Sequence, residues 1–306
     1  MAAERRLGIA GGRGPRVAAR GARVGGILAP LLLALAPALA GCAAPSFILG
    51  PGAQADRIAR AAGWNAAEYP AGQFQLRAYE RFDRPGDDLA IYIESDGLSY
   101  LNRTTQSADP TPARPLVLRL AVADPSPNRL YLARPCQYLD AERRRACAPE
   151  YWSIARFAPE VIDGYMAALE LAKRRSGAER LTLVGYSGGG TVAALLAARR
   201  ADVVRLVTVA GTLDHESWTR GGDVTPLSRS LNPVDFTERL RALPQIHFVG
   251  ARDRVVPPSV TQSYIDRLGT ARRARLVTLP DYDHECCWEG GWRGLLREYV
   301  YPAPPA

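Results

Sequence analysis

The sequence predicts an α/β fold, a parallel sheet with helices on both faces. Short β-branched or apolar runs alternate along the chain with longer segments whose apolar residues have helical spacing. Such alternation favours right-handed crossovers between parallel strands. A Gly-x-Ser-x-Gly motif at 185–189 also falls where a predicted strand ends and a predicted helix begins. These observations favour a single catalytic α/β domain.

The predicted elements follow one another in a regular order. Strands are predicted over 89–94, 129–133, 180–185, 203–209, 246–249 and 275–279. Helices are predicted over 112–123, 159–175, 189–200, 260–268 and 292–300, the second of them starting at a proline and closed by a glycine. Residues 73–80 are expected to add antiparallel strands at one edge. Residues 211–244 join two strands and are too long for a turn, which is typical of a functional lid.

The N-terminus has the pattern of an export signal. Residues 1–23 carry six arginines and one glutamate, and the apolar run 24–40 follows them. Two prolines interrupt the run, which is also marginal in length for a membrane-spanning helix. We therefore expect a cleaved signal rather than a permanent anchor.

The end of this run has a specific motif, Leu39-Ala-Gly-Cys42. It resembles the lipobox of bacterial lipoproteins, and the resemblance implies that residues 1–41 are removed and that Cys42 is acylated. Residues 42–52 would then be a lipidated tether and 53–306 the folded domain. Ala43, in the position after the cysteine, resembles the pattern for sorting to the outer membrane in a Gram-negative host.

Composition excludes some functions once the leader is set aside. The full chain has a net charge of +8, but the leader holds six basic residues and one acidic residue, so the remainder carries +3. It has no basic stripe with interleaved aromatic residues, which argues against a nucleic-acid partner. Its length is within the range of one α/β domain.

Four cysteines remain after Cys42: Cys136, Cys147, Cys286 and Cys287. An even number outside the cytoplasm favours disulfides, with three possible pairings. We predict a bond between Cys136 and Cys147, because they are close in the chain and the bond would close a short loop. Cys286 and Cys287 would then form a bond between neighbours or stay free.

Ser187, within the Gly-x-Ser-x-Gly motif, is predicted to be a nucleophile. The motif lies between a strand and a helix, as a nucleophile elbow requires. The glycines allow a sharp turn, and the following helix directs N–H groups at an oxyanion.

A catalytic base and a catalytic acid are expected just after the carboxyl ends of other strands, because catalytic groups lie there in parallel α/β sheets. His284 follows the last predicted strand and is the best placed base among three histidines. His247 lies inside a strand and is expected to be structural, while His215 could contact substrate. Asp253 is the predicted acid, with Asp214 as the alternative.

Together these motifs make the chain similar to the α/β-hydrolase superfamily over residues 89–299. The resemblance implies eight mostly parallel strands and a short cap after strand six at 211–244. It also implies an oxyanion hole formed by the N–H groups of Gly188 and Leu98. The family often has His-Gly where this chain has Asp96-Gly97, and Asp96 is expected either to bind a substrate hydroxyl or to cap its loop. The segments Arg-Pro-Cys-Gln-Tyr, Gly-Tyr-Ser-Gly-Gly-Gly and His-Glu-Cys-Cys-Trp look like those of bacterial hydrolases without an assigned substrate.

The expected activity is acyl transfer through an acyl-enzyme, with carboxylic ester hydrolysis as the first hypothesis. A small-molecule or lipid-like acyl substrate is the expected partner, and no cofactor or metal is expected. Acyl transfer to another acceptor and peptide hydrolysis remain open on the same three residues. A non-enzymatic binding protein of the cell envelope is a further alternative.

We expect Cys42 to carry diacylglycerol and the protein to partition with membranes, because several acyl chains anchor a protein far better than one. Intact-mass analysis of the membrane fraction should find a chain that begins at a lipidated Cys42. A mature chain that begins elsewhere and carries no lipid would contradict this expectation.

Overall fold

The computed structural model describes residues 50–302, except 103, 146, 222, 223 and 271. The predicted leader, Cys42 and most of the tether therefore lie outside the described residues. Pro51 and Gly52, which were assigned to the tether, instead form the first turn of a helix that the sequence analysis did not predict.

Helices and strands alternate as the sequence predicts. The strands are β1 (Asn65–Ala71), β2 (Phe74–Phe82), β3 (Leu89–Ile93), β4 (Asn128–Leu132), β5 (Leu181–Tyr186), β6 (Val203–Val209), β7 (Gln245–Gly250) and β8 (Ala274–Leu279). The α-helices are α1 (Pro51–Ala61), α2 (Leu116–Ala123), α3 (Ala141–Arg145), α4 (Pro159–Ser176), α5 (Gly188–Ala197), α6 (His215–Gly221), α7 (Thr237–Leu240), α8 (Pro258–Leu268) and α9 (Trp288–Leu295). Short 3₁₀ helices cover Pro149–Trp152 and Pro233–Phe236, and a π-helix continues α9 over Leu296–Val300. None of the described helices is both long and apolar enough to cross a membrane.

Proline and glycine set the helix ends. Helix α4 begins at Pro159 and ends at Ser176, and it is capped by Gly177, whose φ of 70° is in the left-handed region. Helix α2 begins at Leu116, four residues later than predicted. Three prolines lie between 110 and 115, and each disfavours helical backbone in the residue before it. The helix therefore starts only after Pro115.

The eight strands form one sheet in the order β1-β2-β4-β3-β5-β6-β7-β8. Strand β2 is antiparallel to β1 and β4, whereas every other neighbouring pair is parallel. This confirms the mostly parallel eight-stranded sheet and the antiparallel edge.

Helices cover both faces of the sheet. Residues alternate along β3, so that Leu89, Ile91 and Ile93 face one core and Ala90 and Tyr92 face the other. Helices α4, α5 and α8 pack on the first face, and α1, α2 and α9 on the second. The central strands are buried on both sides, which explains their continuous apolar character.

Parallel pairing brings the carboxyl ends of β3, β5, β6, β7 and β8 to one edge of the sheet. The chain leaves β5 at Ser187, β7 at the loop with Asp253, and β8 at the loop with His284. The residues predicted to act together therefore all follow strands at the same edge.

The predicted disulfide joins Cys136 and Cys147, whose Cα atoms are 5.9 Å apart. A second disulfide joins the neighbours Cys286 and Cys287. The first closes a loop between residues 11 positions apart and therefore restricts the unfolded chain, whereas the second closes no loop of consequence.

Replacement of both Cys136 and Cys147 by alanine should lower the free energy of unfolding by ~2–3 kcal/mol, because the unfolded chain regains the freedom of that loop. Urea denaturation without reductant measures the change. The Cys286→Ala/Cys287→Ala variant is the control and should lose much less. Equal losses in the two double variants would contradict this explanation.

Candidate active site

Ser187 lies on a strained turn between β5 and α5. Its φ of 53° and ψ of −123° are unfavourable for a residue with a side chain. The Ser187 N–H donates to Val209 O at 2.9 Å, and its carbonyl accepts from the N–H groups of Gly190 and Thr212 at 2.9 and 3.2 Å. These backbone hydrogen bonds hold the turn in place.

The glycines of the motif are required by close packing. A Cβ atom at Gly185 would lie 2.2 Å from Gly189 O, and one at Gly189 would lie 2.2 Å from Ile93 O. No side chain fits at either position, because backbone atoms cannot withdraw as a flexible side chain can. The turn is therefore packed directly against the end of β3.

Ser187, His284 and Asp253 form a line of hydrogen bonds. His284 Nε2 lies 3.2 Å from Ser187 Oγ, and Nδ1 lies 2.8 Å from Asp253 Oδ2. Asp253 is 4% exposed, and its other oxygen accepts the N–H groups of Val255 and Val256, both at 2.8 Å. The fixed carboxylate favours the tautomer with the proton on Nδ1, which leaves Nε2 to accept the serine proton.

The backbone of His284 is held from two sides. Its carbonyl accepts Tyr186 Oη–H at 2.8 Å and Trp288 Nε1–H at 2.9 Å. The disulfide between Cys286 and Cys287 lies between His284 and Trp288 in the chain. The carboxylate of Asp283, the residue before His284, accepts the N–H groups of Glu285 and Cys286.

The other histidines and the alternative acid lie elsewhere. His247 is buried in β7, where Nδ1 contacts Thr208 Oγ1 at 2.8 Å, and burial lowers its pKa to about 3. His215 is 4% exposed, is stacked on Phe157 and does not line the pocket that contains Ser187. Asp214 accepts from Ser263 Oγ at 2.6 Å rather than from His284. The possible substrate contact of His215 and the alternative role of Asp214 are therefore wrong.

The loop after β3 shows that Leu98 was wrongly predicted as an oxyanion donor. Leu98 N–H donates to Pro110 O at 3.1 Å and is not directed at Ser187. Gly97 has a φ of 63°, and a Cβ atom there would lie 2.0 Å from the same oxygen, so the loop turns closely against Pro110. Among the described residues, the N–H groups of Gly188 and Asp96 have no protein acceptor.

The side chain of Asp96 does not cap its loop, but it lines the cavity, so the expected contact with a substrate hydroxyl stays a prediction. Its Oδ1 accepts from Arg134 Nη1 at 2.7 Å, and its Oδ2 accepts from Arg156 Nη1 at 2.8 Å. Burial opposes ionisation of this carboxyl, yet the charges and hydrogen bonds of Arg156 and Arg134 hold its pKa below the ordinary value. The carboxylate packs against Gly188, where a Cβ atom would lie 2.2 Å from Oδ1.

The Arg-Pro-Cys-Gln-Tyr segment supports this loop. Gln137 Nε2 donates to Ser95 O and Pro110 O at 3.0 and 3.3 Å, while Arg134 reaches Asp96 from the same segment. The roles of Arg134 and Arg156 were not predicted from the sequence. The recognised segment contained a signal for the first of them, but nothing in the spacing pointed to the second.

Ser187 opens into a cavity of about 530 Å³. Trp218, Val224 and Thr225 of the predicted cap line it, and Trp218 Nε1–H donates to Val255 O at 2.7 Å across the opening. The remainder of 211–244 contributes other side chains to the core, so only its first part covers the pocket. The core side chains are Leu213, Leu227, Val234 and Leu240.

Apolar side chains are exposed at the rim of this cavity. Of the described residues, Leu98, Leu101 and Val255 are the exposed large hydrophobic ones, at 41%, 62% and 55%. Leu98 and Val255 line the cavity, and Leu101 is the neighbour of the lining residue Asn102. Hydrophobic side chains gathered at the mouth of a cleft are typical of a ligand-binding surface.

Solved structures resemble this one in fold. The esterase Est1E of Butyrivibrio proteoclasticus is 13% identical, with 78% of this chain and 99% of that chain covered at a TM-score of 0.54. A putative dienelactone hydrolase from Klebsiella pneumoniae is 21% identical, with 78% and 98% covered at a TM-score of 0.52. The Pyrococcus furiosus esterase Pf2001 is 13% identical, with 79% and 93% covered at 0.54. The chain has the α/β-hydrolase fold. No protein-family model matches it, and no curated protein matches it in sequence.

Glu94 makes the stability of the site dependent on pH. Burial raises its pKa from 4.5 to about 7, although hydrogen bonds from Ser95 and Tyr131 and the charge of Arg134 act in the opposite direction. The folded protein therefore keeps a proton that the unfolded chain loses above pH 4.5. The contribution of Glu94 to stability is complete below that pH and is lost as the pH rises to about 7.

Glu94→Gln should consequently gain stability relative to the natural protein as the pH rises from about 4.5 to 7, by on the order of 3 kcal/mol. The difference between the two free energies of unfolding, measured by urea denaturation across this range, isolates the residue from other titrating groups. A difference that is independent of pH would contradict the raised pKa.

Proposed function

We propose that this protein is a serine hydrolase that cleaves carboxylic esters through an acyl-enzyme on Ser187. The observation that carries the proposal is the continuous line of hydrogen bonds from Ser187 through His284 to Asp253, on a strained turn that opens into a cavity. The likeness to esterases is a likeness of fold, and these side chains supply the chemistry.

In the first half of the reaction, His284 Nε2 accepts the proton of Ser187 Oγ as the oxygen attacks the ester carbonyl. The protonated imidazole is stabilised by Asp253 and then gives its proton to the departing alcohol. Water enters, is deprotonated by His284 and attacks the acyl-serine, which releases the acid and restores the serine.

The negative charge of each tetrahedral intermediate needs hydrogen-bond donors. The unpaired N–H of Gly188, at the N-terminus of α5, is one donor, as the sequence analysis proposed. The unpaired N–H of Asp96 replaces that of Leu98 as the second, because the end of β3 packs directly against the turn. The carboxylate of Asp96 does not repel the oxyanion, since two arginines neutralise it.

A membrane location forms the second part of the proposal. The lipobox that ends at Cys42 supports attachment to a lipid surface, and the exposed apolar rim of the cavity supports a substrate with an apolar part. In a Gram-negative host, Ala43 after the cysteine favours the outer membrane.

Ser187→Ala should abolish labelling by a fluorophosphonate, because the reagent traps the nucleophilic oxygen. His284→Ala should lower kcat/KM for an ester about as much as Ser187→Ala, since the two residues act as one unit. Asp253→Asn should cost on the order of 10⁴-fold if it fixes the wrong tautomer of His284. Turnover of a p-nitrophenyl ester and gel detection of the label measure these effects.

Asp281→Asn is the matched control for Asp253→Asn. Asp281 is exposed, pairs with Arg252 at 2.6 Å and does not contact His284, so activity should remain near that of the natural protein. Thermal unfolding must show that each variant is folded. Undiminished labelling of a folded Ser187→Ala protein would contradict the proposed role of Ser187 as the nucleophile.

A further inference from the structure

Arg156 lines the cavity, and one of its guanidinium nitrogens donates to no described residue. The residue is 5% exposed and lines the same cavity as Ser187. Its Nε–H donates to Ser153 O at 2.8 Å, and its Nη1 donates to Asp96 Oδ2 at 2.8 Å. Nη2 has no acceptor among the residues that the structure describes. Nη2 is accessible to solvent rather than enclosed by protein, so a group in the cavity can accept from it.

The charges around Arg156 do not balance. Arg134 and Arg156 share the single carboxylate of Asp96, which leaves one positive charge in excess. Ionised Glu94 would cancel that charge, but burial raises its pKa to about 7, so the carboxyl is largely protonated at slightly acidic pH. The cluster therefore favours a group with one negative charge.

The other arginines that line the cavity differ from Arg156. Arg119 lies 3.4 Å from Glu289, and Arg114 lies 3.9 Å from Glu285, so each has a carboxylate of its own at the more exposed mouth. Their charges are screened by solvent as well. Among the described arginines that line the cavity, Arg156 is thus the one that shares its carboxylate with a second arginine.

Arg156 is also close to the reacting atoms. The Asp96 carboxylate that it binds lies against Gly188, where a Cβ atom would be 2.5 Å from Oδ2. Gly188 in turn follows Ser187 directly. Because Arg156 and Ser187 line the same cavity, an anion bound to Nη2 would share that cavity with the carbonyl that Ser187 attacks.

We propose that Arg156 binds a carboxylate of the substrate, so that the preferred substrate is an ester with a free carboxylate near the scissile carbonyl. This inference rests on the proposed ester hydrolysis and names the substrate class for the same site. A carboxylate suits the single excess charge better than a dianionic phosphate does. The apolar rim would contact the remaining part of the molecule.

The test compares anionic and neutral esters of the same length. Monomethyl glutarate and dimethyl glutarate place the charge on the acyl side, while 3-acetoxypropanoate and its methyl ester place it on the alcohol side. Hydrolysis is followed by pH-stat near pH 6.5, with a correction for the two ester groups of the diester. In at least one pair the anionic ester should have a kcat/KM larger by about tenfold or more, as a charge-assisted hydrogen bond provides.

Arg156→Gln should bring that ratio down to about one, because glutamine can still donate to Asp96 but carries no charge. Since the readout is a ratio of two substrates, a general loss of activity cancels. Arg119→Gln is the matched control: it also removes an arginine that lines the cavity, but Arg119 has Glu289 as a partner of its own, so the preference for the anionic ester should remain.

A ratio near one in both pairs for the natural protein would overturn the inference, and so would a ratio that Arg156→Gln leaves unchanged. If the glutamine variant does not fold, inhibition of the natural protein by glutarate but not by glutaramide gives the same support, and equal inhibition by both contradicts it. Efficient hydrolysis of neutral esters without a preference for the anionic ones would contradict only the proposed role of Arg156. Failure of Ser187 to react with either esters or a fluorophosphonate would contradict the proposed function itself.

Discussion

The close packing of the Ser187 turn against the end of β3 is the constraint on which the rest of the site depends. A side chain at Gly189 would collide with Ile93 O, and one at Gly188 would collide with the carboxylate of Asp96. Because β3 and β5 are paired in the middle of the sheet, this turn cannot move without breaking the core. Ser187, the proposed nucleophile, is therefore positioned by the sheet, and His284 and Asp253 complete a line of hydrogen bonds to it.

The ion pairs of Asp96 extend that constraint to the cavity wall. They join the loop after β3 to Arg134, which follows β4, and to Arg156, which precedes α4. Removal of one partner would leave a poorly solvated charge, at a cost of about 3–5 kcal/mol for a fully buried pair. The same cluster lets a carboxylate lie beside the proposed oxyanion site without repelling it. The structure around the site and the proposed recognition of a substrate carboxylate thus depend on the same charges.

The sequence was sufficient to predict the groups whose positions follow from topology. Ser187, Asp253 and His284 each lie just beyond a strand, and the strands could be recognised from their apolar runs. The prediction that Leu98 donates to the oxyanion was wrong, because its N–H is turned toward Pro110. That contact depends on the backbone at Gly97. Arg134 and Arg156 are 38 and 60 residues from Asp96, so no local pattern could reveal that they converge on it.

The central claim is that Ser187 forms a covalent acyl intermediate. Rapid quenching in acid during turnover of p-nitrophenyl acetate, followed by peptide mass mapping, tests it most directly. The account predicts a transient acetyl group on the peptide that contains Ser187, formed with the burst of p-nitrophenol and absent from the Ser187→Ala protein. Turnover with no acetylated Ser187 peptide at any quenching time, or with acetylation at a different residue, would contradict it.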